Sequence, residues 1–248
     1  MVCVERSELR PLRSRPWRVV EAQHVVATRK LVDTASEHEL LEELIEGAKP
    51  SLGEGRQTGQ WHYLLVAPFR YPPLRHGSRF ATRRERGIWY GSESLPGAFS
   101  EVAYYRLRFL EDTQAELGQL AVELSALQAE LRTDLGVDLT RVPFADDTAQ
   151  ISSPTSYRLS QLLGAQMRQA GAQAFRYLSA RDPDGATNVG VFTPAAFASV
   201  RPGPLETWHC VASHAGVDFT KRDFFESWRL RFAREVFLVD GVLPRSRA

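Results

Sequence analysis

Between Gly87 and Arg106 the sequence runs GIWYGSESLPGAFSEVAYYR, and the chain has to change period inside it. Gly87–Tyr90 is a short apolar-aromatic run that reads as a strand. A Gly-Ser turn stops it. Pro96–Phe109 then reads as a helix, with Ser94 as N-cap and Pro96 in the first turn, where a missing N–H is tolerated. Glu101 lies in this helix among Phe99, Val102 and Tyr105, neighbours that imply burial. A buried carboxylate is costly unless it is paired or hydrogen-bonded. The alternative is that Glu101 points outward on a polar stripe with Ser94, Gly97 and Arg108, and spacing leaves both readings open.

The rest of the chain also mixes strands with helices. Residues 1–16 read as an extended N-terminal extension, followed by a short strand at Trp17–Val20. Thr34-Ala-Ser-Glu37 is a capping box ahead of Leu40, Leu41, Leu44 and Ile45 at helical spacing, with Gly47 as a stop. Pro50–Gly59 reads as a loop and Trp61–Pro68 as a strand. Residues 110–135 fit a helix through Leu117, Leu120, Leu124, Leu127 and Leu131, but Leu120, Val122, Leu124 and Ala126 also alternate as a strand would. Tyr157–Ala170 reads as a helix ended by Gly171. Ala174–Ser179 reads as a strand entering the turn Asp182-Pro183-Asp184-Gly185, with Val189–Phe192 as its return. Thr207–Ala212 alternates, and Glu235–Val239 reads as the last strand. No regular βαβ rhythm, repeat or linker appears, so the expectation is one α+β domain.

The chain has 248 residues and a formal net charge of +1, which gives no broad field for nucleic acid or membrane. Two cysteines, Cys3 and Cys210, make neither a disulfide framework nor zinc spacing, and fit a reducing cytoplasm. The N-terminus lacks the apolar core of a signal peptide, and no run approaches the ~20 apolar residues of a membrane helix. There is no phosphate loop, no GxGxxG after a strand and no HExxH. His209 and His214 have nothing nearby to complete a metal shell, so no metal is expected. Arg70, Arg75 and Arg79 alternate with aromatics around Pro72, Pro73 and His76, as an anion site or a solvated loop would. Arg83, Arg84 and Arg86 read as a solvated turn.

Taken together, Gly77-Ser-Arg79-Phe80, Gly87-Ile-Trp-Tyr90, Ala98-Phe-Ser-Glu101-Val-Ala-Tyr-Tyr-Arg106 and Tyr177-Leu-Ser179-Ala-Arg181-Asp-Pro-Asp-Gly185-Ala-Thr-Asn188 resemble the RES domain, with Trp17-Arg18-Val19 similar to its opening segment. Tyr90 follows Arg79 by eleven residues, and Glu101 follows Tyr90 by eleven. The resemblance gives a domain over 17–248, strongest at 70–195, with additions at 110–150 and after 195. It resembles a longer RES subfamily. Gly-Ser-Arg-Phe stands where the family has Gly-Gly-Arg-Trp.

The resemblance implies a fold similar to that of ADP-ribosyltransferase toxins, with mixed small sheets flanked by helices. It implies a bacterial toxin that destroys NAD by cleaving the nicotinamide–ribose bond, with water or phosphate as acceptor. It also implies an Xre-like helix-turn-helix antitoxin as partner; a homodimer is one option for the assembly. NAD is then the substrate, and no separate cofactor is expected.

Such a reaction passes through an oxocarbenium-like ribosyl transition state. It calls for an anion clamp, a surface for the ring and negative charge near the anomeric carbon. Those roles fall to Arg79, Tyr90 and Glu101, with Ser179 orienting ribose or Arg79. Asn188 and Arg18 are further NAD contacts, and Arg18 and Arg70 are both candidates for the second anion contact. Two other readings use the same residues: a protein ADP-ribosyltransferase, and an NAD-binding regulatory module without turnover.

Overall fold

Pro68 cannot donate to the carbonyl of Leu64, one helical turn before it. The indole Nε1–H of Trp89 donates there instead, at 3.2 Å. This substitution lets Tyr63–Arg70 form helix α1, and the strand expected at Trp61–Pro68 is corrected. His62 caps it through Nδ1, and Leu64, Leu65, Val66 and Phe69 are buried. A short apolar run fits a strand or a buried helix equally well, and only the tertiary partner decides.

The computed structural model describes residues 3–22, 34, 36, 37, 40, 44, 61–71, 77–223 and 228–245. The Thr34–Glu37 box is made as expected: each residue's backbone N–H bonds the other's side chain. Most of the helix expected after it, the loop at 50–59, and Arg75 and His76 lie outside the described residues.

Among the described residues, ten strands form one sheet: β1 Arg10–Ser14, β2 Trp17–Glu21, β3 Trp89–Ser92, β4 Leu120–Gln128, β5 Leu131–Asp138, β6 Ala174–Leu178, β7 Thr187–Val191, β8 Leu205–Ser213, β9 Gly216–Lys221 and β10 Arg229–Ala233. Their order is β1-β5-β6-β7-β3-β2-β4-β8-β9-β10. Neighbours are antiparallel except β5 and β6. The α+β expectation holds, with one continuous sheet in place of small ones. β1, read as part of an extension, is an outer strand of that sheet.

The ambiguous stretch 110–135 resolves into the end of a helix and strands β4 and β5. Leu124 and Ala126 pack on one side of the sheet and Leu127 and Leu131 on the other. Burial on both faces hides the alternation that would mark a strand. The expected strand at Glu235–Val239 is a 3-10 turn, Arg234–Phe237, with Phe237 alone buried in it. β10 is the last strand among the described residues.

Helices α2 (Leu95–Asp112) and α4 (Arg158–Gln169) cover one face, and α1 covers the other. A short helix, α3 (Thr148–Ile151), precedes α4. Ser94 caps α2 as expected, its Oγ accepting from the Gly97 N–H. Directly paired residues share a face. Trp17, Ser92, Asn188 and Tyr177 are therefore one row across β2, β3, β7 and β6, all beneath the α2/α4 side.

Candidate functional site

The row Ser92–Asn188–Tyr177 is the floor between α2 and α4. Glu101, in the second turn of α2, leans over it half-buried. Its Oε1 accepts two hydrogen bonds of 2.7 Å, one from Ser179 Oγ and one from Asn188 Nδ2. Its Oε2 accepts none from the described residues. The outward-pointing alternative for Glu101 is thereby excluded. Charge-assisted bonds of this length are among the stronger ones in proteins and fix the carboxylate's rotamer.

Ser179 is itself locked. Its Oγ accepts from the backbone N–H groups of Arg181 and Asp182, both at 3.1 Å, so its proton is directed to Glu101. Ser179 therefore orients Glu101, and among the described residues no hydrogen bond joins it to Arg79. Asn188 is buried, and its Oδ1 has no hydrogen-bond partner among the described residues. The Tyr177 hydroxyl lies beside it. Burial, then the Glu101 charge, hold that phenol well above the usual tyrosine pKa.

Arg79 comes from the other side, on a tight Ser78–Ala81 turn that Gly77 enters at φ 72°. Two contacts pin the turn. Gln161 Nε2 of α4 donates to the Ser78 and Ala81 carbonyls. The Tyr90 hydroxyl lies 3.0 Å from Ser78 Oγ and accepts from the Phe80 N–H at 3.2 Å. Gly164 of α4 makes room: a Cβ there would lie 2.1 Å from the Phe80 carbonyl oxygen.

One nitrogen of Arg79, Nη1, donates to the carbonyls of Ile151 (3.4 Å) and Ser153 (2.8 Å), and the guanidinium sits 5.0 Å from the Tyr157 ring. Its Nε and Nη2 donate to no described residue. Tyr90 is half-buried, and its hydroxyl is committed to the Ser78–Ala81 turn. Its ring meets Tyr177 edge-on, and burial pushes its phenol up to about 12.

Arg18 does not join this cluster. It is paired with Leu127 in the β2–β4 ladder, on the α1 face of the sheet, and its guanidinium lies 5.4 Å from the Trp89 ring. Its Nη1 donates to the Tyr90 carbonyl from behind β3. Burial pulls its pKa down to about 10, so it stays charged at neutral pH. Arg70 ends α1, on that same opposite side.

Three residues not singled out from the sequence join the cluster. Arg181 is buried, stacks 3.7 Å over the Tyr104 ring and donates to the Pro154 carbonyl. Tyr105, one turn on from Glu101, exposes its ring beside it. Tyr157 carries the Arg79 guanidinium. The i, i+4 spacing of Glu101 and Tyr105 was a readable signal. Arg181 stood two residues after Ser179 in plain view. Nothing local marked Tyr157.

His209 and His214 are exposed, and the described residues hold no group of three metal-ligating side chains. No helix among them is long and apolar enough to cross a membrane.

Among solved structures, the chain is similar to one in the crystal structure of the M. tuberculosis MbcT–MbcA toxin–antitoxin complex. Identity is 13% over 78% of this chain and 83% of that one, with a TM-score of 0.40. No curated protein matches the sequence. A family model described as the RES domain matches residues 55–213, which span α1, the Arg79 turn, Glu101, Ser179 and Asn188 but not Arg18. The chain belongs to the RES domain family.

Proposed function

We propose that this protein cleaves the nicotinamide–ribose bond of NAD. The observation that carries the reading is Glu101: one oxygen is fixed by Ser179 and Asn188, and the other is left for a ligand. In the step, the C1′–N bond breaks and its electron pair goes to the nicotinamide nitrogen, cancelling the ring's charge. An oxygen of water or phosphate bonds to C1′; with water, a proton leaves to solvent. Glu101 stabilises the positive charge that builds on the ribose, and removing such a group costs about 10²–10³ in rate.

Arg79 fits an anion contact because two of its nitrogens remain available after Nη1 holds the 151–153 carbonyls. The role first given to Tyr90, a platform for the ring, suits Tyr105 better. Tyr90 serves by positioning the Arg79 turn. Arg18 acts on β3 from behind and not on substrate.

Membership of the RES family supports the further reading of a toxin held in check by a helix-turn-helix antitoxin. Incubation of the purified chain with NAD, in water and in phosphate buffer, tests the chemistry. Nicotinamide together with ADP-ribose or its 1-phosphate is expected. Bound but intact NAD would contradict it.

A further inference from the structure

Arg181 stands in the connection between β6 and β7 and is 5% exposed. A buried guanidinium is costly unless its charge and its donors are matched. Here the Tyr104 ring lies 3.7 Å from the guanidinium, and the Pro154 carbonyl accepts from Nη2 at 3.0 Å. Tyr104 is itself fixed, its hydroxyl donating to the Pro244 carbonyl at 2.5 Å.

The backbone of Arg181 and its side chain serve different halves of the site. The backbone N–H donates to Ser179 Oγ at 3.1 Å, and the carbonyl accepts from Ser100 Oγ at 2.8 Å. Ser179 holds Glu101, and Ser100 precedes Glu101 on α2, so this backbone braces the carboxylate. Any residue but proline at 181 would keep both bonds.

The side chain reaches the loop 152–157, between α3 and α4. Successive residues of that loop are gripped by different partners. Ser152 Oγ donates to the Leu178 carbonyl at 2.5 Å, the Ser153 carbonyl accepts from Arg79 Nη1 at 2.8 Å, and the Pro154 carbonyl accepts from Arg181. Tyr157, at the loop's end, lies against the Arg79 guanidinium. Arg79 and Arg181 thus hold adjacent carbonyls of one backbone. Pro154 stiffens that link, because proline fixes its own φ and restricts the residue before it.

We infer that Arg181 is a positioning residue that sets Arg79 against Glu101, resting on the reading above that Arg79 is an anion contact for NAD. Its backbone steadies Glu101, and its guanidinium steadies the loop on which Arg79 rests. Loss of the side chain therefore loosens Arg79 and leaves Glu101 in place.

The test uses the full chain with Arg181→Met, which removes charge and donor, and Arg181→Lys, which keeps a charged donor without the flat fork. In Arg181→Met, KM for NAD should rise about tenfold, the factor that about 1.4 kcal/mol of lost binding gives. The kcat should stay within about threefold, the split expected of a lost binding contact. Arg181→Lys should recover part of the loss. In an Arg79→Met background, Arg181→Met should change KM by less than about twofold, because effects that run through one group are not additive. A general weakening of the fold would raise KM alike in both backgrounds. If Arg181→Met does not fold, Arg181→Lys is read the same way, with a smaller rise expected.

Hydrogen exchange without NAD reads the same link directly. The Ser78, Ala81, Ser153 and Ser156 amides are hydrogen-bonded in the turn and the loop. They should exchange faster in both variants, while α2 stays unchanged. An unchanged KM in a folded variant, a loss confined to kcat, or an equal rise in KM with and without Arg79 would each overturn the inference. Absence of nicotinamide release from the wild type would instead overturn the reaction itself. The exchange measurement then decides, and unchanged exchange in the turn and the loop would overturn the positioning role.

Discussion

Ser179 Oγ donates a 2.7 Å hydrogen bond to Glu101 Oε1, tying the end of β6 to the second turn of α2. The two residues are 78 apart in sequence. The Ser179 proton is held by Glu101 Oε1 and its lone pairs by the Arg181 and Asp182 N–H groups, so its oxygen is committed to positioning rather than to nucleophilic attack. Ser179→Ala should therefore lower kcat and leave substrate binding nearly intact. A hydrogen bond to a charged group contributes about 1.5–3 kcal/mol, so kcat should fall about 10- to 100-fold. Steady-state kinetics on nicotinamide release checks this. A complete loss, as for a nucleophile, would contradict it.

Gly164 sets how closely α4 can approach the Arg79 turn. In Gly164→Ala the new Cβ would meet the Phe80 carbonyl at 2.1 Å, and backbone cannot swing aside as a side chain can. Overpacking of this kind costs about 1–3 kcal/mol. Thermal melting should show a lowered Tm, and activity should fall with it as the turn shifts. An unchanged Tm would mean that α4 and the turn adjust freely.

Arg18 is half-buried on the far face, with an enclosed Nε that has no partner among the described residues. Arg18→Met keeps much of the side-chain volume and removes a partly desolvated charge. Nicotinamide release should stay within about threefold of the wild type, and stability should hold or rise. A loss of NAD binding would restore Arg18 to the substrate site.

Tyr90 gives a pH signature. Its folded pKa is raised to about 12, whereas an unfolded tyrosine ionises near 10. The unfolded chain therefore releases this proton first. The stability held in the neutral phenol is full below about pH 10 and is lost as pH rises towards 12. Urea midpoints measured from pH 9 to 11.5 should fall, and fall less steeply in Tyr90→Phe. Equal slopes would show that Tyr90 is not responsible.

The sequence was most legible where structure is local. Ser94 and Pro96 announced α2, the Thr34–Glu37 box is made as read, and Gly171 and the Asp182–Gly185 turn stand where expected. It was least legible where a distant partner decides. Trp61–Pro68 reads as a strand in sequence, and the helix found there depends on the Trp89 donor that takes the place of the N–H Pro68 lacks. The leucines of β4 and β5 mimicked helical spacing because both faces of those strands are buried. At the site, family resemblance brought Glu101, Ser179 and Asn188 forward together, and they do meet. The same resemblance placed Arg18 with them, on the wrong side of the sheet. Face depends on register, and register is set by pairing across strands far apart in sequence.

The central claim is that Glu101 stabilises a ribosyl cation formed from NAD. Glu101→Gln keeps the shape and removes the charge. Its direct measurement is nicotinamide release by wild type and variant at saturating NAD, with circular dichroism to show both folded. The account predicts a fall of about 10²–10³ in kcat with little change in KM. Equal kcat in a folded variant would contradict it.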